Sequence, residues 1–363
     1  MIKGHVTILS SAANIADARL HRLANALIAS DITVDIWALG KSEDAPKRAT
    51  IHRAPGGKSL LARVWRDIVL PIRAEGEIVL TIAPDLLPTA RLVTRIKKQK
   101  LVADIFEDYL QLLNDRAWAK GALGAAARMV ARIANSVAAR ADLTTVADIQ
   151  VPPFNARQRL VVRNLPDRSM LTMAGKPDNQ PRAIYIGDVR TSRGLRTMLQ
   201  VAELSPDWRF DIVGGVAAAD QEFVNSWLTN NSAASRVTFH GRLAPNESWK
   251  IAQGAWVGLS LLEPTPAFVA AVPSKLYEYS ACGLPIVSTP LPRCVELVRQ
   301  SEAGVIASTP TDIASALNSW SSSTAGRAER EKLAANALAW SSTHLDSAAE
   351  YGAFVSAISA LRG

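Results

Sequence analysis

The pair of residues whose spacing most clearly suggests a ligand-binding site is a lysine followed three residues later by a glutamate. Lys275 and Glu278 lie in PSKLYEYSACGLPIVSTPLP, where a helical pattern ends at a glycine and an apolar run follows. Residues at i and i+3 share a helix face, and Ser274 is the predicted N-cap. An anion bound there would offset the unfavourable placement of a lysine at a helix N-terminus, and the carboxylate could accept both hydroxyls of a ribose. A mutual surface ion pair fits the same spacing, so both interpretations stay open.

A second candidate anion site follows the apolar run AIYI. The segment AIYIGDVRTSRGL predicts a strand, then a loop containing Gly187, Arg190 and Arg193, then a helix that begins near Gly194. Backbone N–H groups at a helix N-terminus bind phosphate well when an arginine lies nearby. An ordinary solvated loop has the same composition, and neither GxxxxGK[ST] nor GxGxxG is present.

Glycines also end the next predicted strand, RFDIVGG. Gly214 and Gly215 allow a close approach of the backbone, either by a ligand or in a tight turn. The five histidines are scattered, and HExxH, DxD and GxSxG motifs are absent. We therefore predict no metal site of the usual kinds and no esterase.

The predicted elements place these groups at the ends of parallel strands. Apolar strand patterns alternate with helices, first in HVTILSS, TVDIWAL, EIVLTIA, KLVADIF and LTTVA, with a long helix from about Ala117 to Ala141. The alternation restarts in AIYIGDV and continues through RFDIVGG, VTFHGRL, WVGLSLL and LPIVST, after a connection predicted near 151–182. This pattern predicts an α/β fold of two Rossmann-like, doubly wound domains facing across a cleft. Ligands of such sheets bind at the carboxyl ends of the strands, so we expect the site in that cleft.

Length and composition agree with two cytoplasmic domains. The 363 residues are 48% hydrophobic and 20% charged, which is enough apolar material for two cores. No apolar run approaches the length of a membrane span, and MIKGHVTILSS leads directly into a strand pattern, so no signal peptide is predicted. Cys282 and Cys294 suit a reducing compartment as small buried residues.

Positive charge is concentrated in the first half of the chain. Residues 1–165 contain 24 lysines and arginines against 15 acidic residues, whereas residues 166–363 contain 17 against 18. Two helical stripes carry part of this charge: Arg91, Arg95 and Lys98, and Arg128, Arg132 and Arg140. Such helices can lie on an anionic membrane, although a solvated charged face is the alternative. Nucleic acid is not predicted, because the basic residues are not interleaved with aromatic ones.

The order of several segments resembles the GT-B glycosyltransferases of the retaining type, the cytoplasmic enzymes that build bacterial polysaccharides and glycolipids. The segments are RLVVRNLPD, AIYIGDVRTSRGLRTMLQVAEL, WRFDIVGG, VTFHGRLAPNESWKIAQGAWVGLSLL and PSKLYEYSACGLPIVSTPLPRCVELV. The resemblance is strongest from Arg163 to Ser308. It implies an acceptor-binding domain over 1–165, a nucleotide-sugar-binding domain over 166–340, and a C-terminal helix over 341–363 that packs back on the first domain.

The resemblance also implies roles for individual residues. Glu278 would hold the donor ribose, and Arg193 and Lys275 would contact the diphosphate during catalysis. It also places His240 and Leu243 at the strand end beside the nucleobase. The other predicted substrate-binding residues are Gly187, Arg190, Gly214, Gly215 and Tyr277.

Three positions depart from the family pattern. Ala270 replaces the first signature glutamate, with Glu263 nearby but out of register. Asp188 stands where an arginine often follows the glycine, and Phe106 replaces a histidine of the first domain. The carboxylates near Phe106 are Asp104, Glu107 and Asp108.

The implied activity is hexosyl transfer from a UDP- or GDP-sugar to a lipid-linked or membrane-associated glycan, with no metal or other cofactor. In a retaining reaction the leaving phosphate could take the acceptor's proton; in an inverting one, Glu107 or Asp108 is the candidate base. The protein would be cytoplasmic, and possible peripheral contact with the inner face of the cell membrane is part of this prediction. A sugar-nucleotide 2-epimerase and a non-catalytic binding subunit of the same fold are the alternatives.

Overall fold

The chain divides into two compact units. The computed structural model describes residues 4–57, 59–114 and 119–362. Unit 1 comprises Met1–Asn164 with Ser347–Gly363, and unit 2 comprises Leu165–Asp346. The predicted start of the long helix at Ala117 lies outside the described residues.

Unit 1 contains a parallel sheet with strand order β3-β2-β1-β4-β5-β6-β7. The strands are β1 (His5–Asn14), β2 (Thr33–Leu39), β3 (Thr50–Arg53), β4 (Ile78–Thr81), β5 (Lys100–Ile105), β6 (Leu143–Val146) and β7 (Arg159–Val161). The helices are α1 (Ala18–Ala29), α2 (Leu60–Arg73), α3 (Leu87–Lys97), α4 (Tyr109–Asn114), α5 (Gly121–Ala138) and α14 (Ser347–Ala360). The strand patterns predicted five of these strands and missed β3 and β7, which are short strands at the sheet edges.

Unit 2 repeats this design with strand order β10-β9-β8-β11-β12-β13, again all parallel. The strands are β8 (Arg182–Ile186), β9 (Arg209–Val213), β10 (Val237–Gly241), β11 (Val257–Ser260), β12 (Ile286–Ser288) and β13 (Gly304–Ile306). The helices are α6 (Leu195–Leu204), α7 (Gln221–Asn230), α8 (Pro245–Ile251), α9 (Pro266–Val269), α10 (Ser274–Cys282), α11 (Pro292–Ser301), α12 (Pro310–Ser322) and α13 (Thr324–His344). The boundary that we predicted after residue 340 falls inside α13.

The C-terminal helix α14 supplies part of the core of unit 1. Tyr351, Phe354 and Ile358 are buried together with Leu23 and Leu27 of α1. Arg163 and Glu350 form an ion pair at 2.8 Å that fixes the start of α14 beside the end of the first sheet. The last helix therefore folds as part of unit 1, although unit 2 separates it from the rest of that unit in the sequence.

Each sheet has one point where the strand order reverses direction. In unit 1 this point lies between β1 and β4, and in unit 2 it lies between β8 and β11. Connections from these strands leave in opposite directions, which opens a crevice at their carboxyl ends where ligands bind in open α/β sheets. No helix in the described part of the chain is both long and apolar enough to cross a membrane.

Candidate nucleotide-sugar site

The helix α10 begins at Ser274 without a side-chain cap. Pro273 occupies the N-cap position, and its side chain makes no capping hydrogen bond. The prediction that Ser274 is the N-cap is therefore wrong, because the helix starts one residue earlier than the pattern suggested. The N–H group of Leu276 donates to the carbonyl oxygen of Pro273, and no side chain of the N-cap residue serves the first turn.

Lys275 extends from this first turn to the carboxyl end of β8. Its side chain is only 5% exposed, and its Nζ lies 3.7 Å from the ring centroid of Tyr185 on β8. A Cβ atom on Gly187 would lie 3.3 Å from that Nζ, so the glycine leaves space beside the ammonium group. Nζ makes no hydrogen bond to any residue in the described part of the chain. A buried ammonium with only a ring face beside it is incompletely satisfied.

Arg193 brings a second positive charge to the same place. It ends a 3-10 turn just before α6, where Gly194 has a φ of 85°. A Cβ on Gly194 would lie 2.1 Å from the carbonyl oxygen of Leu261, which follows β11, so only glycine lets the turn pack there. The guanidinium lies 5.4 Å from the ring centroid of Phe268. The two cations therefore lie at the point where the strand order of the second sheet reverses.

Burial and repulsion from Arg193 both disfavour the charged form of Lys275. Burial lowers the pKa of Lys275 well below its usual value, and the nearby Arg193 charge lowers that pKa further. The Glu278 carboxylate acts in the opposite direction on the same pKa. A ligand with two or more negative charges would reverse the balance by stabilising both cations.

The environment of Glu278 excludes a surface ion pair. Glu278 is buried, as is Lys275, so neither side chain lies on a solvated helix face. Tyr279 anchors α10 to the sheet. Its hydroxyl accepts a hydrogen bond from the N–H of Ile186 and donates one to the carbonyl oxygen of Leu259. These bonds join α10 to β8 and β11, and so they hold Lys275 and Glu278 in place.

The glycines predicted to approach a ligand serve two different purposes. A Cβ on Gly214 would lie 1.8 Å from the carbonyl oxygen of Gly187, so contact between neighbouring strand ends already requires this glycine. Gly215 is more open, since its Cβ would meet only the guanidinium of Arg242, at 3.7 Å. Gly214 is therefore required for packing between strand ends, whereas Gly215 leaves open space beside Arg242.

Asp188 binds the arginines that flank it. Arg190 donates to its carboxylate at 2.8 Å, and Arg242 donates to the other oxygen. Arg190 is thereby held beside the strand end by an acid of the protein itself. An aspartate at position 188 thus organises this edge of the sheet, where the family pattern has an arginine.

The remaining residues predicted in unit 2 have packing or hydrogen-bond partners of their own. The His240 Nε2 lies 2.6 Å from the Asp211 carboxylate, on the face of the sheet. Leu243 packs against the core around Trp249, and Tyr277 stacks on Trp340 of α13. Each of these three side chains has a packing partner, and their predicted contact with substrate stays a prediction.

Asp104 and Asp108, two of the carboxylates predicted in unit 1, accept hydrogen bonds within the protein. Asp104 is fully buried and accepts two hydrogen bonds from Arg19 and one from Thr145. Asp108 accepts from the N–H groups of Leu110 and Gln111 and so caps α4. Asp108 thus holds the start of α4, and the predicted role of Glu107 or Asp108 as a base stays a prediction.

A polar cluster at the strand-order reversal of the first sheet was not predicted. The Ser11 Oγ donates to Asp85 at 2.9 Å, and Arg63 of α2 also binds Asp85. Asp67 lies beside them, and burial together with the Asp85 charge raises its pKa to about 7. Ser11 and Asp85 could have been found because they end the runs HVTILSS and IAPD, but Asp67 depends on a helix that the patterns did not show.

Comparisons with known proteins agree with this geometry. Residues 172–340 match the family of glycosyl transferases group 1. HepE from Anabaena, solved with UDP and glucose, has 15% identity and a TM-score of 0.72, with coverage of 98% of this chain and 100% of that one. Sucrose-phosphate synthase from Thermosynechococcus elongatus has 14% identity and a TM-score of 0.71, with 99% of each chain covered.

A third similar structure is WaaG, a glycosyltransferase involved in lipopolysaccharide biosynthesis. It has 14% identity and a TM-score of 0.65, with coverage of 96% of this chain and 98% of that one. No curated protein sequence matches the chain. The predicted GT-B architecture is confirmed by these structures, which share the two parallel-sheet domains. Residues 172–340 of unit 2 thus match the family of glycosyl transferases group 1, and the whole chain shares the fold of these solved structures.

Proposed function

We propose that this protein transfers a hexose from a UDP-sugar to a lipid-linked or membrane-associated glycan, with retention of configuration and without a metal ion. The observation that carries the proposal is the buried Nζ of Lys275, which has no hydrogen-bond partner among the described residues and lies beside Arg193. Two such cations at the carboxyl ends of β8 and β11 suit a nucleoside diphosphate.

The departing diphosphate is the group that this site would stabilise. As the bond between the sugar C1 and the phosphate oxygen breaks, negative charge grows on the diphosphate and positive charge grows on C1. Arg193, Lys275 and the N–H groups at the start of α10 are fixed by packing before the reaction. Because they need no rearrangement when the charge develops, they lower the barrier directly.

The remaining roles follow from this placement. Glu278 would accept hydrogen bonds from the ribose hydroxyls of the donor. In the retaining reaction the released phosphate oxygen takes the proton of the acceptor hydroxyl, and no protein base is needed. HepE was solved with UDP and glucose, and this supports uracil over guanine in the donor.

The nature of the acceptor rests on charge and on one similar protein. Residues 1–165 carry 24 basic against 15 acidic residues, which favours an anionic partner. WaaG acts in lipopolysaccharide biosynthesis, and this supports a glycolipid as the acceptor.

Calorimetric binding of UDP and GDP tests the donor site. We expect UDP to bind the wild-type protein more tightly than GDP, and Glu278→Gln to weaken UDP binding by about tenfold, the equivalent of 1.4 kcal/mol. Glu331→Gln, which changes an exposed glutamate, is the matched control and should bind UDP as the wild type does. Unchanged binding by Glu278→Gln would exclude the ribose assignment.

Transfer itself is tested with radiolabelled UDP-glucose and a bacterial glycolipid extract. Label should enter the lipid fraction at the same rate with or without EDTA, and nuclear magnetic resonance should show the anomeric configuration of the donor in the product. A rate abolished by EDTA would overturn metal independence, and an inverted product would make Glu107 or Asp108 the candidate base.

A further inference from the structure

The helix α2 of unit 1 exposes its apolar side chains to solvent. Leu61 is 82% exposed and Trp65 is 59% exposed. The exposed apolar residues of α2 are Leu60, Leu61, Val64, Trp65, Ile68 and Ile72. At 100° per residue these six positions fall within one side of the helix, which we call the α2 apolar face. A helix of a soluble protein usually turns such a face toward the core.

Polar contacts hold α2 in this reversed orientation. Arg66 is only 3% exposed, and it donates hydrogen bonds to the carbonyl oxygens of Ser11, Pro55 and Gly57. Arg63, one turn earlier, binds the buried cluster at Asp85. Rotating the α2 apolar face inward would break these bonds and leave the carbonyl oxygens of Ser11, Pro55 and Gly57 without this donor. The exposure of the apolar face is therefore fixed by the fold.

The neighbouring helices extend this surface. In unit 1, α3 packs between α2 and α5, and Lys97 of α3 donates to the carbonyl oxygens of Ile72 and Ala74 at the end of α2. Further exposed apolar side chains on α3 and α5 are Leu92, Ile96, Leu123, Met129, Val130 and Ile133. Most of the large exposed apolar residues described in the chain thus lie on three adjacent helices. An apolar patch of this kind marks an interaction surface.

The same three helices carry almost only positive charge. Arg63 and Arg66 face the interior of the unit, and the other basic residues of these helices are Arg73, Arg91, Arg95, Lys97, Arg128 and Arg132. Asp67 is the single acidic residue within these helices, and it belongs to the internal cluster with Asp85. Apolar side chains flanked by lysine and arginine match a membrane surface of anionic lipids, and an exposed tryptophan suits its interfacial layer. A second copy of the chain is disfavoured, because two such basic faces repel each other.

We propose that the α2 apolar face inserts into the interfacial layer of an anionic lipid membrane, with α3 and α5 contributing flanking basic and apolar contacts. This inference deepens the proposed function by naming the surface through which the protein reaches a lipid-linked acceptor. It does not require nucleotide or acceptor, so it can be tested without either.

A fluorescent probe on the α2 apolar face tests insertion directly. The two native cysteines are buried, so a thiol-reactive, polarity-sensitive dye will label Leu61→Cys selectively. Phosphatidylcholine vesicles with about 30% phosphatidylglycerol should shift the emission to the blue, whereas pure phosphatidylcholine vesicles should have much less effect. The same dye on Leu228→Cys, on an exposed helix of unit 2, should show no shift.

Co-sedimentation with the same vesicles measures the energetic contribution of the face. Replacing both Leu61 and Trp65 with glutamine should lower the partition coefficient at least tenfold, since two inserted apolar side chains are lost. Replacing Leu204 and Leu228 with glutamine changes two exposed leucines of unit 2 and should leave partitioning unchanged. High salt should weaken wild-type binding, because the flanking basic residues contribute through screened charges.

Three results would overturn the proposal. The first is equal partitioning by the wild type and the variant lacking Leu61 and Trp65. The second is a dye at position 61 that keeps its aqueous emission on vesicles that bind the protein. The third is sedimentation-velocity evidence that the wild type is a dimer and the variant is a monomer, which would assign the face to self-association. UDP binding by the same variant shows whether the donor site is intact, so a failure of insertion is distinguishable from a failure of the proposed glycosyl transfer.

Discussion

At the scale of residues, the buried Lys275 is expected to favour ligand binding and to lower the stability of the fold. The protein buries an ammonium group with no hydrogen-bond partner among its described residues, and this destabilises the fold in the absence of ligand. Tyr185, under the ammonium, compensates in part through its ring face. Residues retained for binding at the expense of stability show opposite effects on the two properties when they are replaced.

Lys275→Met should therefore raise stability and lower affinity together. Methionine fills the space of the lysine stem without a charge, so we expect the free energy of unfolding to rise by about 1 kcal/mol. The affinity for UDP should fall at least tenfold, since one of the two cations is lost. Thermal unfolding and calorimetry measure the two effects. Lys250→Met, on an exposed helix face, is the control, and a Lys275→Met protein of lower stability would contradict this account.

At the scale of elements, α2 shows how one helix can join an internal polar cluster to an external apolar face. Its inner side carries Arg63, Arg66 and Asp67, and its outer side carries Leu61 and Trp65. Surface helices usually turn their apolar side inward, and α2 turns its charged side inward instead. Its packing on unit 1 therefore depends on titratable groups. The Asp67 carboxyl group is the most perturbed of them.

Asp67 should make the protein less stable as the pH rises. Its pKa is about 7 in the fold, because burial and the Asp85 charge disfavour ionisation, against an ordinary value of 3.8. Between these values the folded protein holds a proton that the unfolded chain releases, so the free energy of unfolding falls as pH rises from about 4 through about 7. We expect a loss on the order of 1 kcal/mol, since the carboxyl group is partly exposed to solvent.

Asp67→Asn isolates this contribution. The amide cannot ionise, so the variant should lose stability less than the wild type between pH 5 and pH 8, the two values at which denaturant titrations are compared. Coincident pH profiles for the two proteins would show that Asp67 does not titrate in this range.

At the scale of the whole molecule, unit 1 is built from two separated parts of the chain. The core of unit 1 needs α14, which comes after unit 2 in the sequence. Unit 1 can therefore complete its core only after the whole chain has been synthesised. The predicted diphosphate- and ribose-binding residues Arg193, Lys275 and Glu278, in contrast, all belong to unit 2.

Phe354→Ala should destabilise unit 1 selectively. Phe354 is fully buried against α1, and truncating a buried phenylalanine costs about 3–5 kcal/mol. Hydrogen exchange followed by mass spectrometry should show faster exchange in β1, α1 and α14 and unchanged protection in β8 and β11. UDP should still bind with wild-type affinity. Equal loss of protection in both units would show that they unfold together.

The sequence by itself determined most of the strands and the identity of the cationic residues. Continuous apolar runs such as KLVADIF form buried parallel strands because both faces of such a sheet are covered, and this signal is local. The spacing of Lys275 and Glu278 is also a local signal, and it placed both residues on one helix. Arg193 and Lys275 were predicted as partners in one site through a family pattern that keeps their order along the chain.

Only the tertiary structure decided which of these residues meet and which surface remains exposed. The contact of Lys275 with Tyr185, and the closeness of Lys275 to Arg193, depend on where α6 and α10 pack on the sheet, and this is not a property of either segment. The helix α2 was not among the predicted elements, and its sequence pattern does not say that its apolar side faces outward. Periodicity reports that a helix has two unlike faces, but the buried bonds of Arg66 decide which of them faces solvent.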